Sequence, residues 1–334
     1  MWHKLRIYII CLCLALSLGA HAAVQLSQDA RISLITCTAG EDLYTKYGHT
    51  AIHVYDSVNE IDAVFNYGTF DFNVDHFYWK FVRGETWYEL GMSYDIDYFR
   101  AAYEQEGRQV YSQEMNLSQT EKEALWEALL INYKPENKMY LYNFVFDNCA
   151  TRPYQIIRKY CQDSLVSDYT GYTGRTYREF LRHYTGEYTW ANAGINLLFG
   201  PKADQPMNSE QRLFLPEELM LYMAQAHRKG DNTPFVKQST IGAFEPVHTP
   251  WYASWPFGLV LYFLFVAGMS YYDRRRKKWS WWVELVAGIP YLLLLLLVTF
   301  LTFFSCHPLV GFGWRLLIIP ATHLCARLIY IVRR

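Results

Sequence analysis

Hydrophobic and polar positions alternate over most of the chain and give way to long apolar runs near its C-terminus. Short runs rich in β-branched and aromatic residues predict strands at residues 31–37, 50–55, 61–67, 86–93 and 110–115. Ser118-Gln119-Thr120-Glu121 form a capping box, which predicts a helix from there to about Tyr133. A second helix is expected to begin near Cys149. Strands and helices that mix without regular alternation predict an α+β domain.

Three apolar stretches, at residues 255–272, 279–304 and 314–332, predict a small all-α bundle of about three transmembrane helices. The positive-inside rule places the basic cluster at residues 274–278 in the cytoplasm. The globular domain and the loop at residues 305–313 then share the outer side. We therefore expect a multi-pass protein of the cytoplasmic (inner) membrane, whose third span is the least certain because it contains polar and charged residues.

The N-terminus has the form of a secretory signal peptide. Lys4 and Arg6 precede an apolar run, and Ala20-His21-Ala22 fits the small-x-small cleavage rule. The alternative is a retained N-terminal anchor. The predicted organisation is a signal peptide at residues 1–22, a globular domain at residues 23–245, and a linker with the transmembrane domain at residues 246–334.

Composition excludes some classes of function. Lys and Arg number 31 against 32 Asp and Glu, so the basic surface that neutralises phosphates is missing and nucleic acid is not an expected partner. No His-Glu-x-x-His or Cys-x-x-Cys pattern occurs, so we expect neither a metal site nor a cofactor. Cys37, Cys149 and Cys161 fall in the globular domain, an odd number that leaves at least one thiol unpaired. Whether Cys37 and Cys161 pair is left open.

Cys149 is a candidate nucleophile. It follows Asp147-Asn148, residues that suit a helix start, where the helix dipole and free amides would stabilise a thiolate. The same amides would supply an oxyanion hole. The alternative is that Cys149 is a small core residue.

His49 is the candidate base, and it needs a third polar group to orient it. His49 and His53 share one face of a predicted strand. If the hairpin that follows places Tyr55 near Ile61, His49 lies across from Asn66 or Tyr67. Asn66 is therefore the expected orienter, and His53 is its competitor.

Three blocks carry a family resemblance: Tyr47-Gly48-His49-Thr50-Ala51-Ile52-His53, Phe65-Asn66-Tyr67-Gly68-Thr69-Phe70-Asp71-Phe72 and Asp147-Asn148-Cys149-Ala150-Thr151-Arg152. They resemble the signature blocks of the Lnb family of bacterial lipoprotein N-acyltransferases. The resemblance implies a periplasmic thiol domain of the permuted papain-like type, related to the NlpC/P60 and lecithin:retinol acyltransferase folds. It implies Cys149 and His49 as the catalytic pair. Tyr47, Asn148 and Arg152 become candidates for substrate binding or as alternative orienters, and a role for His307 is left open.

The resemblance also implies the reaction. An acyl chain would move from a membrane phospholipid to the Cys149 thiol, and from this thioester to the N-terminal amine of a diacylglyceryl-cysteine lipoprotein. Membrane lipid, the phospholipid donor and the lipoprotein acceptor are the expected partners. Two alternatives remain open: a membrane-tethered cysteine peptidase or amidase that acts on cell-wall peptide, and a non-enzymatic membrane scaffold. A transferase should have an apolar site that opens toward the membrane, whereas a wall hydrolase should have a polar cleft.

Overall fold

A computed structural model of the protein describes residues 24–42, 44–161, 165–171, 174–242, 244 and 248–331. The predicted signal peptide at residues 1–22 lies outside the described residues, and so does the start of the predicted linker at residues 246–247. The strands are β1 (Arg31–Cys37), β2 (His49–Asp56), β3 (Ile61–Thr69), β4 (Trp87–Tyr94), β5 (Val110–Met115), β6 (Met139–Leu141), β7 (Leu165–Ser167), β8 (Ala226–Arg228) and β9 (Val236–Thr240). The helices are α1 (Phe77–Arg83), α2 (Ile96–Gln105), α3 (Gln119–Tyr133), α4 (Thr151–Tyr160), α5 (Tyr177–Thr185), α6 (Trp190–Leu198), α7 (Pro216–Ala224), α8 (Trp255–Arg276), α9 (Trp281–Phe304) and α10 (Ile318–Ile331).

The predicted mixture of strands and helices is confirmed. Seven strands form an antiparallel sheet in the order β6-β4-β3-β2-β1-β5-β9, and β7 pairs with β8. Each of the five strands predicted from the sequence corresponds to one of β1 to β5. The capping box is also confirmed: Ser118 accepts the N–H of Glu121, and the Glu121 carboxylate accepts the N–H of Ser118.

The predicted hairpin register is wrong by one residue. Asp56, rather than Tyr55, pairs with Ile61. The Asp56 carboxylate accepts the N–H groups of Ser27 and Val58 at 2.7 and 3.1 Å, which holds the turn one residue further along β2. The pattern of hydrophobic positions does not reveal this register, because the register depends on one carboxylate that fixes the turn and not on a periodic feature of the sequence.

Both faces of the large sheet are covered. On one face Ile52, Phe65 and other apolar side chains of the strands pack against α3, α4 and α7. On the other face Cys37, Ala51 and Val64 pack against Phe99 of α2. Cys161 belongs to the first core and Cys37 to the second, so the two are not joined in a disulfide.

Helices α8 and α9 are long and apolar enough to cross a membrane. The third predicted span is instead a 3-10 turn, Trp314–Leu317, followed by α10, which is described for 14 residues. The polar residues of α10 face its neighbours: Arg327 contacts Asp273 at 3.0 Å and Glu284 at 2.5 Å, and His323 contacts Glu284 at 2.7 Å. Polar groups in this region are thus paired between helices.

The loop between α9 and α10 contacts the globular domain. The N–H of Gly200 donates to the carbonyl of Leu309 at 2.9 Å, and the N–H of Gly311 donates to the carbonyl of Leu198 at 3.0 Å. The ring of His307 donates from Nε2 to the carbonyls of Phe81 and Val82, at 3.2 and 3.1 Å. His307 therefore joins the loop to the end of α1.

Candidate functional site

Cys149 lies where β2 and β3 separate. Pairing between these strands begins at Ile52 and Phe65, so the segments that carry His49 and Gly68 are spread apart. The main-chain N–H of Thr50 hydrogen-bonds to the Cys149 sulfur. A Cβ atom built on Gly68 would lie 3.5 Å from Cβ of Cys149. The cysteine is 8 % exposed and sits beside the residue that follows His49.

Asn148 holds the turn that presents Cys149. Its Oδ1 accepts the N–H groups of Ala150 and Thr151, both at 2.9 Å, and its Nδ2 donates to the carbonyls of Phe144 and Phe214, at 2.7 and 2.8 Å. All four bonds are local to the turn and its core contacts, so Asn148 is placed to support the loop rather than to orient His49.

The oxyanion donors differ from those expected. Asn148 already occupies the N–H groups of Ala150 and Thr151, and its carbonyl accepts the N–H of Arg152. The amides at the start of α4 are therefore not available to a substrate. The N–H groups of Thr50 and of Cys149 itself are the donors directed at the sulfur.

His49 and Asn66 are brought together. Nε2 of His49 and Oδ1 of Asn66 form a short hydrogen bond. An amide oxygen only accepts, so Nε2 carries the proton and Nδ1 keeps its lone pair. The ring of Tyr103 stacks on the imidazole with centroids 5.9 Å apart, which further restricts its orientation.

His53 and Tyr47 lie in other environments. Nε2 of His53 donates a hydrogen bond to Oδ1 of Asp62 at 2.9 Å. This nitrogen of His53 is thus paired with Asp62 and not with His49. Tyr47 packs on Phe144, with ring centroids 4.7 Å apart, in a separate apolar cluster. Tyr47 thus supports the segment that leads to Asn148.

Burial opposes a charge on both the thiol and the imidazole. Burial raises the pKa of Cys149 to about 11, although bonds from Thr50 and from its own N–H and the charge of Arg108 act in the opposite direction. Burial lowers the pKa of His49 to about 4, against the effect of its bond to Asn66. The thiolate expected from the helix start is not the resting form, because the loss of water outweighs the local dipoles.

Arg108 and Tyr103 are functional candidates that the sequence did not reveal. The Arg108 side chain is 5 % exposed, donates from Nε to the carbonyl of Thr38 at 2.7 Å, and lies over the ring of Tyr103 at 4.5 Å. Its charge lowers the pKa of both Cys149 and His49. Both changes favour a neutral base beside an ionisable thiol. No local motif marks Arg108, because it reaches the site from the segment that precedes β5.

Tyr142 was also missed. Its hydroxyl hydrogen-bonds to the Cys149 sulfur, and its ring stacks on Tyr88 with centroids 4.1 Å apart. The ring of Tyr88 in turn packs on the ring of Phe70, with centroids 4.9 Å apart. Aromatic side chains therefore form one wall of the site. The run Tyr140-Leu141-Tyr142 just before the cysteine was the available signal.

Arg152 lies on α4 and forms an ion pair with Asp147. Its guanidinium contacts both carboxylate oxygens of Asp147, at 2.6 and 2.8 Å, and lies 3.5 Å from the centroid of the Tyr140 ring. It also lines a cavity of about 610 Å³ between α3 and α4. Within the part of the chain that the structure describes, no three His, Cys, Asp or Glu side chains gather in a group able to hold a metal ion.

Comparison with known protein families gives two matches. The Lnb N-terminal periplasmic domain matches residues 21–186, which contain His49, Asn66 and Cys149. The Lnb transmembrane domain matches residues 246–334. No curated protein and no solved structure matches the chain, so the permuted papain-like fold stays a prediction. The two matches together cover most of the sequence, and the chain belongs to the Lnb family as a membrane protein with a periplasmic domain.

Proposed function

We propose that the protein is a lipoprotein N-acyltransferase of the inner membrane that works through a thioester on Cys149. Two observations carry the proposal: the Cys149 sulfur lies beside Thr50, the residue that follows His49, and against an aromatic wall, and the imidazole of His49 is hydrogen-bonded to Asn66. Membership of the Lnb family supports lipoprotein as the acceptor. In this proposal α8, α9 and α10 all cross the membrane.

In the first half-reaction the thiol attacks an ester carbonyl of a phospholipid. Nδ1 of His49 takes the proton from the Cys149 sulfur as the carbon–sulfur bond forms, which makes an imidazolium held by Asn66. The tetrahedral oxyanion is stabilised by the N–H groups of Thr50 and Cys149, and one good donor of this kind contributes about 3 kcal/mol. The carbon–oxygen bond then breaks, and His49 returns the proton to the leaving alkoxide. A lysophospholipid departs and a neutral imidazole remains.

In the second half-reaction the N-terminal amine of a diacylglyceryl-cysteine attacks the thioester. A carbon–nitrogen bond forms, the carbon–sulfur bond breaks, and the proton lost by the nitrogen passes through His49 to the Cys149 sulfur. The product is a triacylated lipoprotein, and the free thiol is restored. Because donor and acceptor are both held in the membrane, an enzyme tethered to it meets them at high effective concentration.

The neutral resting pair supports this scheme over a preformed ion pair. Because burial raises the pKa of the thiol and lowers the pKa of the imidazole, we expect proton transfer to accompany attack rather than precede it.

The wall-hydrolase alternative uses the same pair with water as the second nucleophile. The wall formed by Tyr142, Tyr88 and Phe70 favours an acyl chain over a polar peptide. The scaffold alternative requires that Cys149 act only in packing.

The test uses the full chain in phospholipid vesicles. A Cys149 peptide that gains the mass of one acyl chain, and loses it in hydroxylamine, is expected from the intact protein and not from Cys149→Ser. His49→Ala should form the adduct at least about a hundredfold more slowly, since general-base catalysis contributes about 10²–10⁴. Absence of any adduct from the intact protein would refute the acyltransferase proposal. Cys37→Ser, which removes a different buried thiol, is the matched control.

A further inference from the structure

A set of aromatic side chains, most of them exposed, precedes β4. We call Phe70, Phe72, Phe77, Tyr78, Trp79 and Phe81 the aromatic ridge. Phe77 is buried, whereas Tyr78, Trp79 and Phe81 on α1 are 76 %, 55 % and 50 % exposed, and Phe72 is 55 % exposed. Large aromatic side chains grouped in this way on one short helix mark a contact surface.

The ridge adjoins a membrane-spanning helix. The ring of Trp79 packs on Phe300 near the outer end of α9, with centroids 5.3 Å apart. The N–H of Cys306, just past α9, donates to the carbonyl of Arg83 at the end of α1, at 2.7 Å. The exposed face of α1 is therefore held at the level where α9 leaves the membrane.

The inner side of the ridge continues to the nucleophile. Phe77 stacks on Phe70 with centroids 5.8 Å apart, and Phe70 contacts Tyr88. Tyr88 stacks on Tyr142, whose hydroxyl bonds to the Cys149 sulfur. A series of ring contacts thus runs from Phe77 to the reacting atom, and α1, which carries Phe77, contacts the outer end of α9 through Trp79.

We propose that the outer face of the aromatic ridge is embedded in the outer leaflet of the membrane and that the donor acyl chain reaches Cys149 along its inner rings. The occupant of this surface is membrane phospholipid. The first half of the inference stands on the ridge and its contact with α9, and the second half rests on the proposed acyltransferase function.

Two physical arguments favour lipid as the occupant. Trp and Tyr side chains prefer the boundary between headgroups and hydrocarbon, and the contact of Trp79 with Phe300 continues the surface of α9. For an acyl chain that leaves the leaflet through water, each methylene exposed to water lowers the equilibrium population of that state about fourfold. Aromatic rings along the way replace the hydrocarbon and remove most of this cost.

Photocrosslinking tests the membrane contact without reference to activity. The full chain is placed in vesicles that contain an alkyne-labelled phospholipid, with p-benzoylphenylalanine in place of Tyr78. The matched control carries the same group in place of Tyr98, which is 73 % exposed but lies on α2. We expect at least about tenfold more labelled adduct at position 78. Equal labelling at the two positions, or none at position 78, would overturn the contact.

A second measurement tests delivery of the chain. Tyr78→Ser combined with Phe81→Ser should slow acylation of Cys149 by vesicle phospholipid about tenfold or more, and leave acylation by water-soluble p-nitrophenyl acetate within about twofold. Tyr94→Ser combined with Tyr98→Ser is the control and should change neither rate. Equal slowing with both donors would overturn the delivery role. If phospholipid fails to acylate even the intact protein, the proposed function fails, while the crosslinks still decide the membrane contact.

Discussion

The bond between His49 and Asn66 determines which imidazole nitrogen is basic, and Asn66→Asp changes its charge while nearly preserving its shape. Burial holds the pKa of His49 at about 4, so the imidazole of the intact protein is neutral at pH 7. A carboxylate in contact with a histidine favours the imidazolium and raises its pKa by about 1–3 units. The pKa of His49 in Asn66→Asp is therefore expected between about 5 and about 7.

The assay is the rate of Cys149 acylation by a water-soluble activated ester, measured from pH 4 to pH 9. Neutral imidazole is the reactive form, so a higher pKa removes activity at the acid end. At pH 5 the variant should be about twofold to about ninetyfold slower than the intact protein, and by pH 8 this protonation effect should be nearly gone.

Asn66→Ala is the control for loss of the bond without a new charge. It should lower the rate about twofold to tenfold at neutral pH, the equivalent of one hydrogen bond. It should also move the acid limb to lower pH, opposite to Asn66→Asp, because the bond to Asn66 raises the pKa of His49. An acid limb that stays at the same pH in folded Asn66→Asp would refute the assignment of His49 as the base oriented by Asn66.

Other substitutions test the supporting structure. Asn148→Ala removes four hydrogen bonds from the turn before α4 and should lower the free energy of unfolding by about 2–4 kcal/mol, seen as a lower Tm in detergent; an unchanged Tm would contradict this role. Arg108→Met removes the charge that lowers the pKa of Cys149, so alkylation of this thiol at pH 9, followed by peptide mass spectrometry, should slow severalfold and recover in Arg108→Lys. Arg327→Leu leaves the buried Asp273 without its positively charged partner and should cost about 3–5 kcal/mol. Arg327→Leu with Asp273→Leu should restore part of the Tm, because Ser280 then loses its hydrogen bonds to Asp273.

Local features of the fold were predictable from the sequence. The strands β1 to β5 follow from alternation of apolar residues, and α3 follows from its capping box, because both signals act over a few neighbouring residues. The register of the hairpin was not predictable in the same way. It depends on the Asp56 carboxylate and on Ser27, which is 29 residues away.

The candidate site was predictable only in part. The choice of Asn66 as the partner of His49 followed from the expected pairing of β2 with β3. That register is wrong by one residue, yet the structure brings these two side chains together. Arg108 and Tyr103 reach the site through tertiary packing, so no spacing in the sequence points to them. The high pKa of Cys149 was missed for a related reason, since burial is set by the whole fold and not by the residues beside a helix start.

The central claim is that Cys149 and His49 transfer an acyl chain to lipoproteins. The most direct test is mass spectrometry of a lipoprotein's N-terminal peptide from cells that lack other N-acyltransferases and carry the intact protein, Cys149→Ser or His49→Ala. We expect a third acyl chain with the intact protein, none with Cys149→Ser, and at most a trace with His49→Ala. A peptide that stays diacylated with the intact protein, or that is triacylated equally with Cys149→Ser, would contradict the account.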